Sequence, residues 1–258
     1  MTTGSITLSD DPLVRFILRR ADDALVLGHR LSEWCGHAPL LEEEMALANI
    51  ALDHLGQARA LYSYAAEVEA AGHDEDAYAY RRDPVDYLNL LLVERPNGDF
   101  AHTIVRLWLY SAFMSLWWQA MTASKDAQLA ALAARAVKEV AYHLRHASNW
   151  VVRLGDGTPE SLRRAQTALD LLWPYAGEML TSQPDEAALT ANGIAIDPET
   201  LRQPWLQRIT SDAAQAALRL PSAPFSQQGG RRGNHSEAMG HLLAELQYMQ
   251  RAYPGAQW

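Results

Sequence analysis

Two stretches of the chain carry histidines among polar residues at the spacing by which a helix brings side chains onto one face. In Ala48-Asn49-Ile50-Ala51-Leu52-Asp53-His54-Leu55-Gly56-Gln57-Ala58 this spacing gives His54-x-x-Gln57. In Lys138-Glu139-Val140-Ala141-Tyr142-His143-Leu144-Arg145-His146 it gives Val140-x-x-His143. Glu-x-x-His on each of two helices, plus one carboxylate from each of two others, is the ligand set of a di-iron carboxylate bundle, because residues three apart share an inward face. Neither stretch spells that set. The spacing predicts a degenerate copy of such a site at Glu33, His54, Gln57, Glu139, Val140 and His143, with no catalytic residue, metal or cofactor expected.

The second stretch allows the sharper reading. Ala133, Ala136, Val140, Leu144, Ala147 and Val151 form a stripe of helical period that must face a core. Val140 stands at its centre, where a metal-binding helix needs Glu, and a valine has no lone pair to give. Glu139, His143 and His146 fan out along one flank, and Glu139 and His143, four apart, are expected to hydrogen-bond each other. Between Phe100 and Lys125 there is no Asp or Glu at all, whereas a helix lining a di-iron site supplies one from its middle. Glu33 is left as the ligand-like carboxylate of the first helix. Iron with bridging oxygen needs several anionic oxygens, and this supply is poor.

The elements that must position these residues are helices throughout, with no convincing alternating strand pattern. Helices are predicted at about 12–35, 40–71, 85–94, 100–123, 126–154, 158–180, 198–220 (bent near Pro204) and 236–252. Breaks fall at Gly36-His37-Ala38-Pro39, Gly72-His73-Asp74, Arg95-Pro96-Asn97-Gly98-Asp99 and Gly155-Asp156-Gly157. The long helices with short connections predict one all-α domain over 1–258: a four-helix bundle of about 12–155 with extra C-terminal helices of about 158–252 packed outside it. A tail follows from Tyr253 to Trp258.

Composition narrows the function classes. At 258 residues and 48% hydrophobic, the chain can bury a large core. A net charge of −9 offers no basic field for nucleic acid. Leu107 to Ser124 is uncharged, but it only reaches the lower length of a membrane span and carries Ser111, Ser115, Gln119 and Thr122, so it reads as a helix buried in the bundle. No basic region followed by an apolar run opens the chain, so no signal peptide is expected. The lone Cys35 reads as a small buried apolar group in a reducing, cytoplasmic setting. Trp108, Trp117, Trp118, Trp150 and Trp173 read as core or interface packing. Arg231-Arg232, in a Gly-rich loop, reads as solvated, with a CoA phosphate as the alternative partner.

Several segments carry a family resemblance: Leu31-Ser32-Glu33-Trp34-Cys35-Gly36-His37-Ala38-Pro39, Ala46-Leu47-Ala48-Asn49-Ile50, Leu55-Gly56-Gln57-Ala58-Arg59, Leu92-Val93-Glu94-Arg95-Pro96-Asn97-Gly98-Asp99-Phe100 and Ala244-Glu245-Leu246-Gln247-Tyr248. The chain resembles the C subunits of bacterial phenylacetyl-CoA ring epoxidases from about Arg15 to Trp258. The resemblance implies a ferritin-like structural subunit that pairs with a catalytic A subunit holding the di-iron centre. A small B subunit and a reductase complete such a system. In the A subunit the motifs read like Asp-Glu-x-x-His and Lys-Glu-Glu-x-x-His. Against them stand His54 and Gln57, then Val140 and His143, with Glu33 matching the first-helix carboxylate.

Two other readings stay open from sequence. One is a metal-binding oxidoreductase in its own right, using Glu33, His54, Glu139, His143 and His146. The other is a metal-free homo-oligomeric bundle, and a homodimer in isolation is compatible with the scaffold reading too.

Overall fold

The computed structural model describes residues 5–253 and 256. Residues 1–4 and most of the predicted tail (254–255 and 257–258) lie outside the described residues. The ten helices among them are α1 (Pro12–Ser32), α2 (Leu41–Glu69), α3 (Glu75–Tyr80), α4 (Leu91–Glu94), α5 (Phe100–Met121), α6 (Ala127–Gly155), α7 (Pro159–Leu172), α8 (Ala187–Ala191), α9 (Arg202–Gln215) and α10 (Glu237–Ala252). The described residues contain no strand, and the fold is all-α.

Capping explains where the long helices start. Asp11 accepts from the Leu13 and Val14 amides with Pro12 in the first turn, and Asp99 and Asp126 cap α5 and α6 in the same way. Thr158 and Ser161 close a capping box at α7. The predicted 158–180 helix gives way at Trp173 to a 3-10 stretch ending at Leu180, where Pro174 cannot donate to the α-helical ladder. The predicted 198–220 helix begins as a 3-10 turn at Pro198–Leu201 and ends at Gln215. The predicted 85–94 helix is a 3-10 turn at Pro84–Asp86, an extended run and the single turn α4. The short helices α3 and α8 fall in stretches where periodicity predicts none.

Side-chain contacts fix the topology. Phe16 meets Trp117, with ring centroids 5.9 Å apart, and Trp34 donates to Thr103, so α1 and α5 run antiparallel. Gln57 donates to Glu139, and Tyr64 to Asp126, so α2 and α6 are antiparallel too. With the hairpins α1–α2 and α5–α6, this leaves one long crossover, residues 70–99, which is ferritin-like connectivity. Gly28 lets the first hairpin close, since a Cβ there would stand 3.2 Å from both the Ala51 carbonyl oxygen and the Leu55 side chain. Helix α5 is apolar all round because it is enclosed: Trp108, Phe113, Trp117 and Trp118 are buried. No helix of the described residues is long and apolar enough to cross a membrane. Helices α7 and α9 pack on α5, and buried Trp205 of α9 donates its indole N–H to the Leu109 carbonyl, so the C-terminal helices share the bundle's core.

Candidate functional site

The middle layer of the bundle brings together three of the predicted site residues, His54, Val140 and His143. His54 of α2 and His143 of α6 are buried with ring centroids 4.9 Å apart, and Tyr110 of α5 lies 5.9 Å from His54. Val140 is buried one turn away, as its stripe predicts. On α5 the layer therefore presents a phenol where a carboxylate would be needed.

The predicted site residues do not all share this layer. Nε2 of His143 lies 2.9 Å from Asp53 Oδ2, so its partner is a half-exposed carboxylate on α2 and not Glu139. Glu139 turns outward: it accepts from Gln57 Nε2 at 2.8 Å and meets Arg135 at 3.3 Å. The cause is geometric. On α6, His143 points into the layer while Glu139 lies at its rim facing α2. His146 approaches Glu43 to 3.2 Å, but the two are misaligned and both atoms stay without a hydrogen bond.

Glu33 lies away from this group altogether. It is the C-cap of α1, ion-paired to Arg30 at 2.6 Å and bonded to Asn97 at 2.8 Å. At 1.5 Å per residue it is about 15 Å along the helix axis from Asp23, the α1 carboxylate nearest the layer. Asp23 is fully buried and contributes to the field on Tyr110. In the sequence, Asp22 and Asp23 stand out only as interruptions of an apolar run; the structure makes them the inner acids of the bundle.

Both are already saturated. Arg231 makes a two-pronged contact with Asp23, at 3.0 and 2.6 Å, while the Leu90 amide and Arg20 supply further bonds. Asp22 accepts from Arg82, the Tyr62 hydroxyl and the Leu88 amide. Burial alone would strip Arg231 of its proton more easily, but Asp23 outweighs it and holds the guanidinium's pKa above the ordinary arginine value. The reading of Arg231 as solvated is thus overturned: it is 3% exposed, and its loop is strapped down where Glu178 accepts from the Gly229 and Arg231 amides. Arg232 stays exposed. Cys35 is likewise exposed, in the turn after α1, and not buried as predicted.

The layer is electrically quiet as a result. Neither ring nitrogen of His54 has a partner, and burial, followed by neighbouring His143, pushes its pKa well below the usual histidine value. Burial likewise lowers His146 in spite of Glu43. Two imidazoles, a phenol and a valine face one another, while Asp22 and Asp23 are tied to arginines. Among the described residues no three His, Cys, Asp or Glu side chains converge in an arrangement that could hold a metal ion. His54 could offer a nitrogen, but a di-iron centre needs bridging anionic oxygens, and the donor set does not fit it.

The family model for phenylacetic acid catabolic proteins matches residues 2–258. The C subunit of the 1,2-phenylacetyl-CoA epoxidase of Escherichia coli (strain K12) is 46% identical over 246 residues, covering 95% of this chain and 99% of that protein.

Proposed function

The chain belongs to the family of phenylacetic acid catabolic proteins, and from that premise we propose that it is the noncatalytic subunit of a phenylacetyl-CoA epoxidase, supporting a di-iron catalytic A subunit in the cytoplasm. Addition of oxygen to the aromatic ring would be the work of that partner. A small B subunit and a reductase would complete the system.

One observation carries the reading. The inner carboxylate of α1 is neutralised by Arg231, and Val140 and Tyr110 occupy positions where acids would be required. A bundle that has replaced its metal-directed anions with ion pairs and apolar side chains keeps the shape of an oxygenase subunit and gives up the charge that iron needs. What remains for it is to present helical surface to a partner, which a stable mixed complex requires on the scale of about 800 Å² a side.

Metal analysis after iron supplementation tests this directly. The chain purified alone is expected to carry substoichiometric iron and show no oxygen-dependent turnover, and the mixed complex with the A subunit to show both. Stoichiometric iron with turnover in the isolated chain would overturn the proposal.

A further inference from the structure

The start of α5 and one face of α7 enclose a cavity of about 330 Å³, a size within the range of about 300–1,000 Å³ found for small-molecule sites. Asp99 and His102 form one wall, and Arg163, Arg164, Thr167 and Leu171 the other. Both arginines precede Thr167 by one helical turn and Leu171 follows it by another, so a single face of α7 carries them all.

Charge around the cavity is not balanced. Glu160 holds both arginines, at 2.7 Å each, and Arg164 also reaches Asp99 at 3.3 Å. One turn along α5 from His102, Arg106 is fully buried and donates to the Arg95 carbonyl and to Asn97 Oδ1, neither of them an anion. Arg95 lies over the Tyr175 ring at 4.9 Å. Among the described residues neither Arg95 nor Arg106 has a carboxylate at ion-pair distance, and nearby Arg30 is matched by Glu33. Their field reaches the cavity wall: burial first, then the Arg106 charge, pull the His102 pKa down to about 4 against the opposing effect of Asp99. Arg95, Arg106, Arg163 and Arg164 set against Asp99 and Glu160 leave a surplus of two positive charges, on a chain whose net charge is −9.

Donors for an anion are in place. Arg163 uses Nε and Nη2 on Glu160, while Arg164 uses Nε on Glu160 and Nη1 on Asp99. That leaves Arg163 Nη1 and Arg164 Nη2 without an acceptor among the described residues. Exposed ion pairs of this kind are weak and screened by salt, so they yield to a more highly charged anion. A phosphomonoester carries about −1.5 to −2 at pH 7 and accepts from guanidinium forks, which matches both the surplus and the donors. Past the arginines the wall turns apolar at Ala168 and at Leu171, which is 59% exposed. A ligand with an apolar or aromatic body beyond its phosphate covers that end.

We infer that the cavity between α5 and α7 binds a small phosphate ester, its phosphate on Arg163 and Arg164 and its body against Leu171. The site is independent of the scaffold reading.

Calorimetric titration of the full-length chain with AMP, adenosine and inorganic phosphate tests the inference. AMP is expected to bind one per chain, more weakly as salt rises, with adenosine and inorganic phosphate each about tenfold weaker or more. Arg163→Gln combined with Arg164→Gln should weaken AMP about 100-fold, since two charge-assisted contacts go. Leu171→Ser should weaken AMP a few-fold, about what one buried apolar contact supplies, and leave inorganic phosphate unchanged. Arg145→Gln, exposed on α6, is the control and should change neither. Circular dichroism of each variant confirms folding. Adenosine binding as tightly as AMP, or a double variant that still binds AMP like wild type, would overturn the assignment. So would inorganic phosphate matching AMP, which would leave a bare anion site, and so would failure of AMP and phosphate alike to bind; each of these results leaves the scaffold reading standing.

Discussion

The two sides of the bundle's middle layer handle buried polarity in opposite ways. On the α1 side, Asp22 and Asp23 are buried and fully hydrogen-bonded, each by an arginine drawn from far along the chain and by a backbone amide. On the α2–α6 side, His54 and His146 are left with unbonded nitrogens and kept neutral by burial. A di-iron protein would need the reverse: free carboxylates inside and imidazoles committed to metal. The contrast sets acids locked into ion pairs on one side against unbonded imidazole nitrogens on the other.

Removing one member of the locked side should have the largest effect. Arg231→Met leaves Asp23 buried without its guanidinium, and unfolding by denaturant should show a loss of about 3–5 kcal/mol. Adding Asp23→Leu to that variant should recover most of the loss, because the uncompensated charge goes with it. If the single and double variants were equally unstable, the ion pair would not be what holds this side together.

The second effect concerns the strap's other anchor. His235 Nδ1 lies 2.7 Å from Glu94 and Nε2 lies 2.8 Å from the Tyr87 carbonyl, so both nitrogens face acceptors and the ring is best satisfied when doubly protonated. Burial opposes that charge, yet Glu94 and the carbonyl outweigh it and raise the His235 pKa; burial also works to raise Glu94, and His235 outweighs it and lowers it. A raised histidine stabilises the fold below its unfolded pKa of about 6.5, and that contribution fades as pH rises through the folded value. A lowered glutamate stabilises above about 4.3, and that contribution fades as pH falls through its folded value. His235→Gln should therefore cost about 1–3 kcal/mol near pH 5–6 and remove the decline in stability on the alkaline side.

On the idle side the sign reverses. His54 titrates below its unfolded value, so the native state resists protonation and stability falls as pH drops below about 6.5. His54→Leu should flatten that acid limb by up to about 1.4 kcal/mol per pH unit and be nearly neutral at pH 8, by urea titration across pH. Smallest of all, Glu139→Gln should change stability by less than about 0.5 kcal/mol and leave metal content unaltered, since its partners Gln57 and Arg135 lie at the rim.

The legible parts of this molecule were those set by local periodicity. The stripe through Val140, the inward turn of His143 and the acid-free middle of α5 all follow from spacing along one helix, and each lies where that spacing puts it. What could not be read depends on distant partners. Asp22 meets an arginine 60 positions away and Asp23 one 208 positions away, and nothing near either residue announces those pairings. Glu33 looked like a ligand because it follows a helical pattern, but α1 ends at Ser32 and leaves it at a cap. Glu139 and His143 share a helix face by count, yet α2 offers each a closer partner, Gln57 and Asp53.

The pairing of Asp23 with Arg231 also bears on how the protein is made. At about 5–20 residues per second, the 208 positions between them take on the order of 10–40 s to leave the ribosome. Throughout that interval the first helix carries one carboxylate, Asp23, without its arginine fork, although Asp22 can already meet Arg82, so the nascent N-terminal half closes its interior around an incompletely paired acid. Final compaction belongs to the released polypeptide, and a message truncated before codon 231 should yield product that chaperones and proteases handle as unfinished.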